Sequence, residues 1–324
     1  MSNMKKLHLL TAVVATCSFL YFSCTKAIRF QANSLPMDYN FPQKDTLSIL
    51  AWNVEHFVDE HDNPYINNNR EDKPKDVSRR IDLLADVLRR INADVVVLEE
   101  FESRALATKI AKEKLNNLGY RFFGGTESPD WYMNIVIMSK LPIGVTYSYG
   151  NIYTPVVSIK DSLGRTETQN NINTRIISSE IRVNEKFSFI LTGVHLKAGR
   201  TTRDSAMRVG QIKLLQAQSR RFLAEDRNTN LVIAGDFNAT PESGEFQFLL
   251  KGDKKAMFID PLAGTNVFSH PSEKPRWRID HIIINKNMQR FLLPNGVRIA
   301  ENLEMKTLQE ISDHLPIVAK FIIK

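Results

Sequence analysis

Val77, Ile81, Leu84, Ala85, Leu88 and Ile91 recur at helical spacing, and only Asn92-Ala93-Asp94 separates them from the unbroken apolar run Val95-Val96-Val97-Leu98. An amphipathic helix buries one stripe, whereas a short continuous apolar run reads as a strand covered on both faces. A chain that sets the two back to back needs a sheet with helices packed over it, which is an α/β architecture. The same grammar recurs along the chain. Strand patterns fall at Leu47–Trp52, Asn134–Met138, Leu231–Ala234, Ile279–Ile284 and Ile317–Ile322, with a hairpin of Ile176–Val183 and Phe187–Val194 turned at Asn184-Glu185. Helix patterns cover Arg104–Asn117 and Asp204–Ala224. Two polar stretches, His56–Asp76 and Ser158–Asn173, read as surface loops inserted between core elements. No Pro/Gly/Ser-rich linker interrupts the chain after residue 45, so residues 46–324 form one domain.

The N-terminus reads differently. Lys5 and Lys6 precede an apolar run from Leu7 to Phe22 that ends at Ser23-Cys24. A basic start, an apolar stretch short for a span and a small residue before the cut describe a secretory signal. The cysteine directly after the small residue resembles a bacterial lipoprotein signal, with Cys24 acylated as the mature N-terminus. Residues 1–23 are then the signal and 24–45, with Pro36 and Pro42, a tether. An uncleaved anchor helix is the alternative. Both place the body outside the cytoplasm and attached to a membrane.

Composition excludes several classes. The only two cysteines, Cys17 and Cys24, lie in this leader, so the body has neither a disulfide scaffold nor thiolate ligands for a metal. With 43% apolar and 24% charged residues the chain is neither disordered nor collagen-like. The formal charge is +7, and loss of the leader, which carries two lysines and no acid, leaves +5. That surplus tilts toward a polyanionic partner such as nucleic acid or an anionic lipid.

Chemistry concentrates where strands meet polar clusters: Trp52-Asn53-Val54-Glu55, Leu98-Glu99-Glu100, Thr192-Gly193-Val194-His195, Ala234-Gly235-Asp236-Phe237-Asn238, Arg278-Ile279-Asp280-His281 and Ile311-Ser312-Asp313-His314-Leu315-Pro316. Each alone is consistent with a turn or a solvated strand end. Together they supply carboxylates and amides for a hard divalent cation, and histidines for charge and proton work.

That ordered set resembles the endonuclease/exonuclease/phosphatase family, the deoxyribonuclease-I-like fold, over about residues 46–323. The resemblance implies a four-layer α/β sandwich, with two mixed β-sheets packed face to face and helices outside. It also implies roles. Glu100 matches the metal-binding Glu, with Asn53 beside it and Asp313 as a second or water-mediated ligand, for Mg²⁺ or else Mn²⁺. Asp236 matches the residue that activates water, and Asn238 the amide that orients the phosphate. Asp280 matches the carboxylate that holds the terminal histidine, here His314, as a cation that stabilises the transition state. His195 matches a second histidine that would protonate the leaving oxygen, although base and acid remain interchangeable labels. Glu99 stands where the family has Gln. Since neighbouring strand residues face opposite ways, it misses the metal if Glu100 reaches it. His281 stands where a tyrosine or another large residue is common, and His270, His61 and His8 have no functional argument.

The segment His195-Leu196-Lys197-Ala198-Gly199-Arg200 resembles secreted bacterial nucleases of the family, and Arg175 matches an arginine of that branch. Arg175, Lys197, Arg200 and Arg203 are then phosphate-binding candidates, against the plainer reading of a solvated loop. The expectation is a metal-dependent phosphodiesterase that cuts DNA or RNA with little base preference by in-line attack of water. No obligate protein partner is inferred. Two rivals stand beside it. One is an enzyme for lipid head groups or small phosphate esters, with an apolar rim from Trp131 and Tyr132 or from Tyr147 and Tyr149. The other is a binding module that has lost the chemistry.

Overall fold

The computed structural model describes residue 35 and residues 39–59, 76–126, 133–150, 152–170, 172–252 and 257–323. The chain divides between residues 39 and 40, and every described helix and strand belongs to the unit Asn40–Lys324. Cys24, the signal segment, His61, Trp131 and Tyr132 lie outside the described residues. Among the described residues no helix is long and apolar enough to cross a membrane.

The elements in chain order are β1 (Thr46–Phe57), α1 (Val77–Ile91), β2 (Val95–Phe101), α2 (Arg104–Lys114), β3 (Phe122–Gly125), β4 (Asn134–Ser139), β5 (Ile143–Ser148), β6 (Thr154–Lys160) and β7 (Thr166–Gln169). They continue with β8 (Ile176–Arg182), β9 (Ser188–His195), α3 (Thr202–Glu225), β10 (Leu231–Asp236), α4 (Gly244–Lys251), β11 (Asp280–Ile284), α5 (Lys286–Gln289), β12 (Leu292–Ile299), α6 (Met305–Ile311) and β13 (Ile317–Ile322). Two mixed sheets result, ordered β12-β13-β1-β2-β4-β3 and β11-β10-β9-β8-β5.

Strand alternation builds the layers. In β1, Leu47, Ile49 and Ala51 face the second sheet, and they meet Ile177, Leu191, Val232 and Ile282 in the central core. The intervening Leu50, Trp52 and Val54 face outward, against Leu84 and Leu88 of α1, Ile110 of α2 and Leu308 of α6. On the far side Val194, Ile233 and Ile283 are covered by Ile212 and Leu215 of α3 and by Phe246 and Leu249 of α4. Three apolar seams between four layers make the sandwich that the motifs implied. Gly193 is a glycine because an added Cβ would come within 2.9 Å of Ile135 across the central seam.

The sequence reading of Ser158–Asn173 as a loop is corrected. Strands β6 and β7 pair as an antiparallel hairpin. The hairpin docks on α3, where Gln169 Nε2 donates to the Met207 carbonyl and Gln211 Nε2 donates to Gln169 Oε1. Its polar alternation hid it, since only Thr154, Val156 and Gln169 of the pair are buried.

Candidate active site

Topology gathers the strand-end clusters at one edge of the sandwich. Strands β1 and β2 run parallel, as do β9 and β10, so their carboxyl ends point the same way in both sheets. Strands β11 and β13 run antiparallel to their neighbours, so their starts share that edge. Asp236 consequently sits in register with His195 on one side and Asp280 on the other.

The backbone is bent to aim the groups. Pairing of β1 with β2 is regular to Asn53↔Glu99 and resumes at Phe57↔Phe101, so β1 bulges opposite Glu100. Glu55, His56, Glu100 and Asn238 all have left-handed φ, of 46°, 48°, 55° and 50°. Four side-chain-bearing residues in that region at one edge store strain of about 1–3 kcal/mol each, which the surrounding structure must offset. Gly235 has φ of 134°, and an added Cβ would lie 2.1 Å from the Val194 carbonyl. Arg80 of α1 clamps the turn, donating to the carbonyls of Val54 (2.9 Å), Glu55 (2.7 Å) and Ile311 (2.6 Å).

Two groups of side chains meet there. In the first, Asn53 Nδ2 donates to Glu100 Oε1 and to Asp236 Oδ2, both at 3.2 Å. His195 Nε2 lies 3.5 Å from Glu100 Oε1 and 3.8 Å from Asp236 Oδ2. Asn238 donates to Asp236 through its backbone N (2.8 Å) and its Nδ2 (3.0 Å). Arg175 is partly buried and donates to the His195 carbonyl at 3.2 Å. In the second group, His314 Nδ1 lies 2.9 and 3.1 Å from the two oxygens of Asp280. Asp280 also accepts from Ser269 Oγ at 2.6 Å. The groups are tied together because Ser312 Oγ donates to the Asn53 carbonyl and Trp52 Nε1 to the His314 carbonyl.

Charge follows burial. Desolvation pushes the Asp236 carboxyl up to about 7 and also raises Glu55 and Glu100. Burial would lower His314, but the carboxylate of Asp280, with Asp236 and Asp313 behind it, outweighs that and holds the imidazolium well above its usual range. His195 goes the other way. Burial, then Arg175 and His314, push it down to about 3, so it is neutral near pH 7.

A model of the endonuclease/exonuclease/phosphatase family matches residues 50–314. The chain belongs to that family. It is therefore a hydrolase of phosphoester bonds by class, and enzymes of the family are generally dependent on a divalent metal. No curated protein matches it in sequence. Among solved structures, D. rerio TDP2 complexed with single strand DNA product is 17% identical, covers 86% of this chain and 99% of its own, and superposes with a TM-score of 0.56. The human Nocturnin catalytic domain with bound sulfate is 15% identical over 87% of this chain and 96% of its own, with a TM-score of 0.56. Staphylococcus aureus beta toxin is 17% identical over 86% and 100%, with a TM-score of 0.55. At these identities the likeness is one of fold.

The donor set fits the family's metal. Glu100, Asp313 and the Asn53 amide offer hard oxygen ligands. Burial raises the carboxyls of Glu55, Glu100 and Asp236, and a divalent cation bound beside them would favour their ionised forms. Asn53 would bind through Oδ1, an oxygen that accepts from the Glu55 backbone N at 3.0 Å in this structure.

The remaining candidates divide. Glu99 turns into the central seam, fully buried, with neither carboxyl oxygen hydrogen-bonded among the described residues. His281 is structural: Nε2 donates to the Ala239 carbonyl and the ring stacks on Phe246. The Lys197 ammonium is engaged by Asp204 (3.1 Å) and the Ala198 carbonyl, and Arg203 pairs with Glu167. Arg200 lays its guanidinium 4.2 Å from the centroid of Trp277. The rim expected from Tyr147 and Tyr149 is not at the site: Tyr149 is buried with its hydroxyl on Ser178, and Tyr147 packs on Phe222 of α3. The sequence reading missed Arg80, whose contact with the Ile311 carbonyl crosses 231 positions of chain, and His270, which lies 3.3 Å from Asp313. Neither sits in a pattern that betrays it.

Proposed function

We propose that this protein is a divalent-metal-dependent phosphodiesterase that cleaves DNA or RNA without base preference, outside the cytoplasm, tethered through an acylated Cys24. The observation that carries the reading is the meeting of Asp236, Asn238, Asn53, Glu100 and His195 with the Asp280–His314 pair at one edge. A nucleic-acid substrate is supported by the formal charge of +5 that remains after loss of the leader, by the partly buried Arg175 and by Arg200 over the partly buried Trp277. The D. rerio TDP2 structure, with its single strand DNA product, adds a fold-level analogy.

The chain's groups suit in-line attack by water. Asp236 takes the proton, since a carboxyl poised near pH 7 is a base that still ionises at working pH. Two donors from Asn238 and one from Asn53 hold the carboxylate in place. His314, kept protonated by Asp280, stabilises charge growing on the phosphoryl oxygens. His195, neutral in this setting, can hydrogen-bond the leaving oxygen through an N–H but does not protonate it, so the leaving oxygen takes its proton from solvent water. A divalent cation, when bound, would neutralise the phosphate and favour departure of the leaving oxygen.

The test is nicking of supercoiled plasmid by purified protein in Mg²⁺ and in EDTA, beside His314→Ala. Cutting that needs both metal and His314 supports the reading. Folded protein that leaves the plasmid intact but hydrolyses a lipid head group or a small phosphate ester would replace it.

A further inference from the structure

We infer that His270, Asp313 and His314 form a second metal site, overlapping the first at Asp313, for a borderline transition-metal ion such as Zn²⁺, which would arrest the enzyme by occupying His314. The inference rests on the catalytic reading of His314 for its consequence, but not for the site itself. His270 Nε2 lies 3.3 Å from Asp313 Oδ2, and His314 Nε2 lies 3.7 Å from Asp313 Oδ1. One donor atom from each residue falls within 4.8 Å of the other two. Ligands at zinc distances in a tetrahedron stand about 3.3 Å apart, so the side chains need only close by about an ångström.

Three features favour a metal over a chance cluster. His314 is locked by Asp280 through Nδ1, which leaves Nε2 as its outward donor, and a carboxylate behind a ligating imidazole orients it for a metal. His270 is held by backbone and not by side-chain chance: Leu315 N donates to the Ser269 carbonyl and Ser272 N to the Asp313 carbonyl, which fastens residues 269–272 along 313–315. Its ring stacks on Trp277, and its Nδ1 has no hydrogen-bond partner among the described residues. The site is also reachable, since the Asp313 side chain is 47% exposed and that of His270 21%. Two imidazoles and one carboxylate suit Zn²⁺, Co²⁺ or Ni²⁺ better than Mg²⁺, and three protein ligands leave a position for water. Coordination at Nε2 takes up the outward atom of His314, the one not held by Asp280, and so blocks its approach to the phosphate.

The experiment titrates the full-length protein with Zn²⁺ alone by calorimetry, without Mg²⁺ or substrate, and with Co²⁺ by its visible absorption. His270→Ala, His270→Gln and Glu100→Gln are run beside it, each checked for folding by circular dichroism. We expect one site per chain whose Zn²⁺ affinity falls at least about tenfold in both His270 variants and is retained in Glu100→Gln. In the two His270 variants the zinc concentration that halves turnover in saturating Mg²⁺ should rise by the same factor, with each referred to its own zinc-free rate. Unchanged affinity in a folded His270 variant overturns the site, as does binding lost only in Glu100→Gln. If the protein cleaves no nucleic acid, the titrations still decide the site, so the two readings fail separately.

Discussion

Both oxygens of Asp280 lie against one nitrogen of His314, at 2.9 and 3.1 Å, with Asp280 opening β11 of one sheet and His314 in the bend just before β13 of the other. The pair spans the two halves of the sandwich at the edge where the phosphate would sit. It holds a cation where the rest of the site is acidic, and so joins the fold to its electrostatics.

Asp280→Asn tests that pair. The amide keeps the shape but loses the charge that holds His314 protonated, so kcat should fall by about 10²–10³-fold with a smaller change in KM. A proton-detected titration of the His314 ring should show its pKa dropping. An Asp280→Asn enzyme within about threefold of the parent in kcat contradicts the assigned role.

The pH profile of kcat/KM should be bell-shaped. Its acid limb reflects Asp236, which must be ionised and is raised to about 7 by burial. A bound divalent cation favours the carboxylate, so with metal that limb lies below about 7. Its alkaline limb reflects loss of the His314 proton, well above the usual imidazole range. An alkaline limb unaltered by Asp280→Asn would detach it from His314.

His314 also links pH to stability. Its folded pKa is raised, so its contribution is fully present below the unfolded value of about 6.5 and is lost as pH rises through the folded value. Urea melts of wild type and His314→Gln should therefore differ most at low pH and converge at high pH. A gap that widens as pH rises would reverse the sign and refute the pairing.

Glu99 and Glu100 are adjacent yet should respond oppositely. Glu99 is fully buried, its carboxyl oxygens have no hydrogen-bond partner among the described residues, and it is pushed well above the carboxylate range by burial, then by Asp280 and Asp236. An acid raised on folding loses stability as pH climbs from its unfolded toward its folded value, so Glu99→Gln should stabilise the protein near pH 7 and leave turnover within about threefold. Glu100→Gln should remove turnover and its dependence on Mg²⁺. Loss of activity in a folded Glu99→Gln would move the metal site inward.

Gly235→Ala should destabilise the fold. A Cβ there meets the Val194 carbonyl at 2.1 Å and Glu99 Oε1 at 2.6 Å, at a φ few other residues adopt. A cost of at least about 1–3 kcal/mol is expected, read as a lower urea midpoint at unchanged slope. An unchanged midpoint would mean that the strand end relaxes freely.

Much of this was legible in local pattern. The stripe from Val77 to Ile91 and the run Val95–Leu98 demanded a helix-covered sheet, and strand ends such as Gly235-Asp236-Phe237-Asn238 and Ser312-Asp313-His314 marked the site in order along the chain. Those signals survive because periodicity and turn chemistry act over a few residues. The hairpin of β6 and β7 escaped because its burial comes from α3, not from its own pattern.

The sequence by itself determined the α/β class, the inventory of carboxylates, amides and histidines, and through the order of its motifs the family, since each motif is written within one short segment. Only the tertiary structure decided which of those groups carry charge and which merely pack. Asp236 and His195 have ordinary side chains, and it is burial beside chosen neighbours that raises the one to about 7 and lowers the other to about 3. His270 looked idle in the chain until two backbone bonds set it against Asp313. Ionisation and coordination depend on distance and dielectric in space, and residues 43 positions apart in sequence carry no local record of meeting.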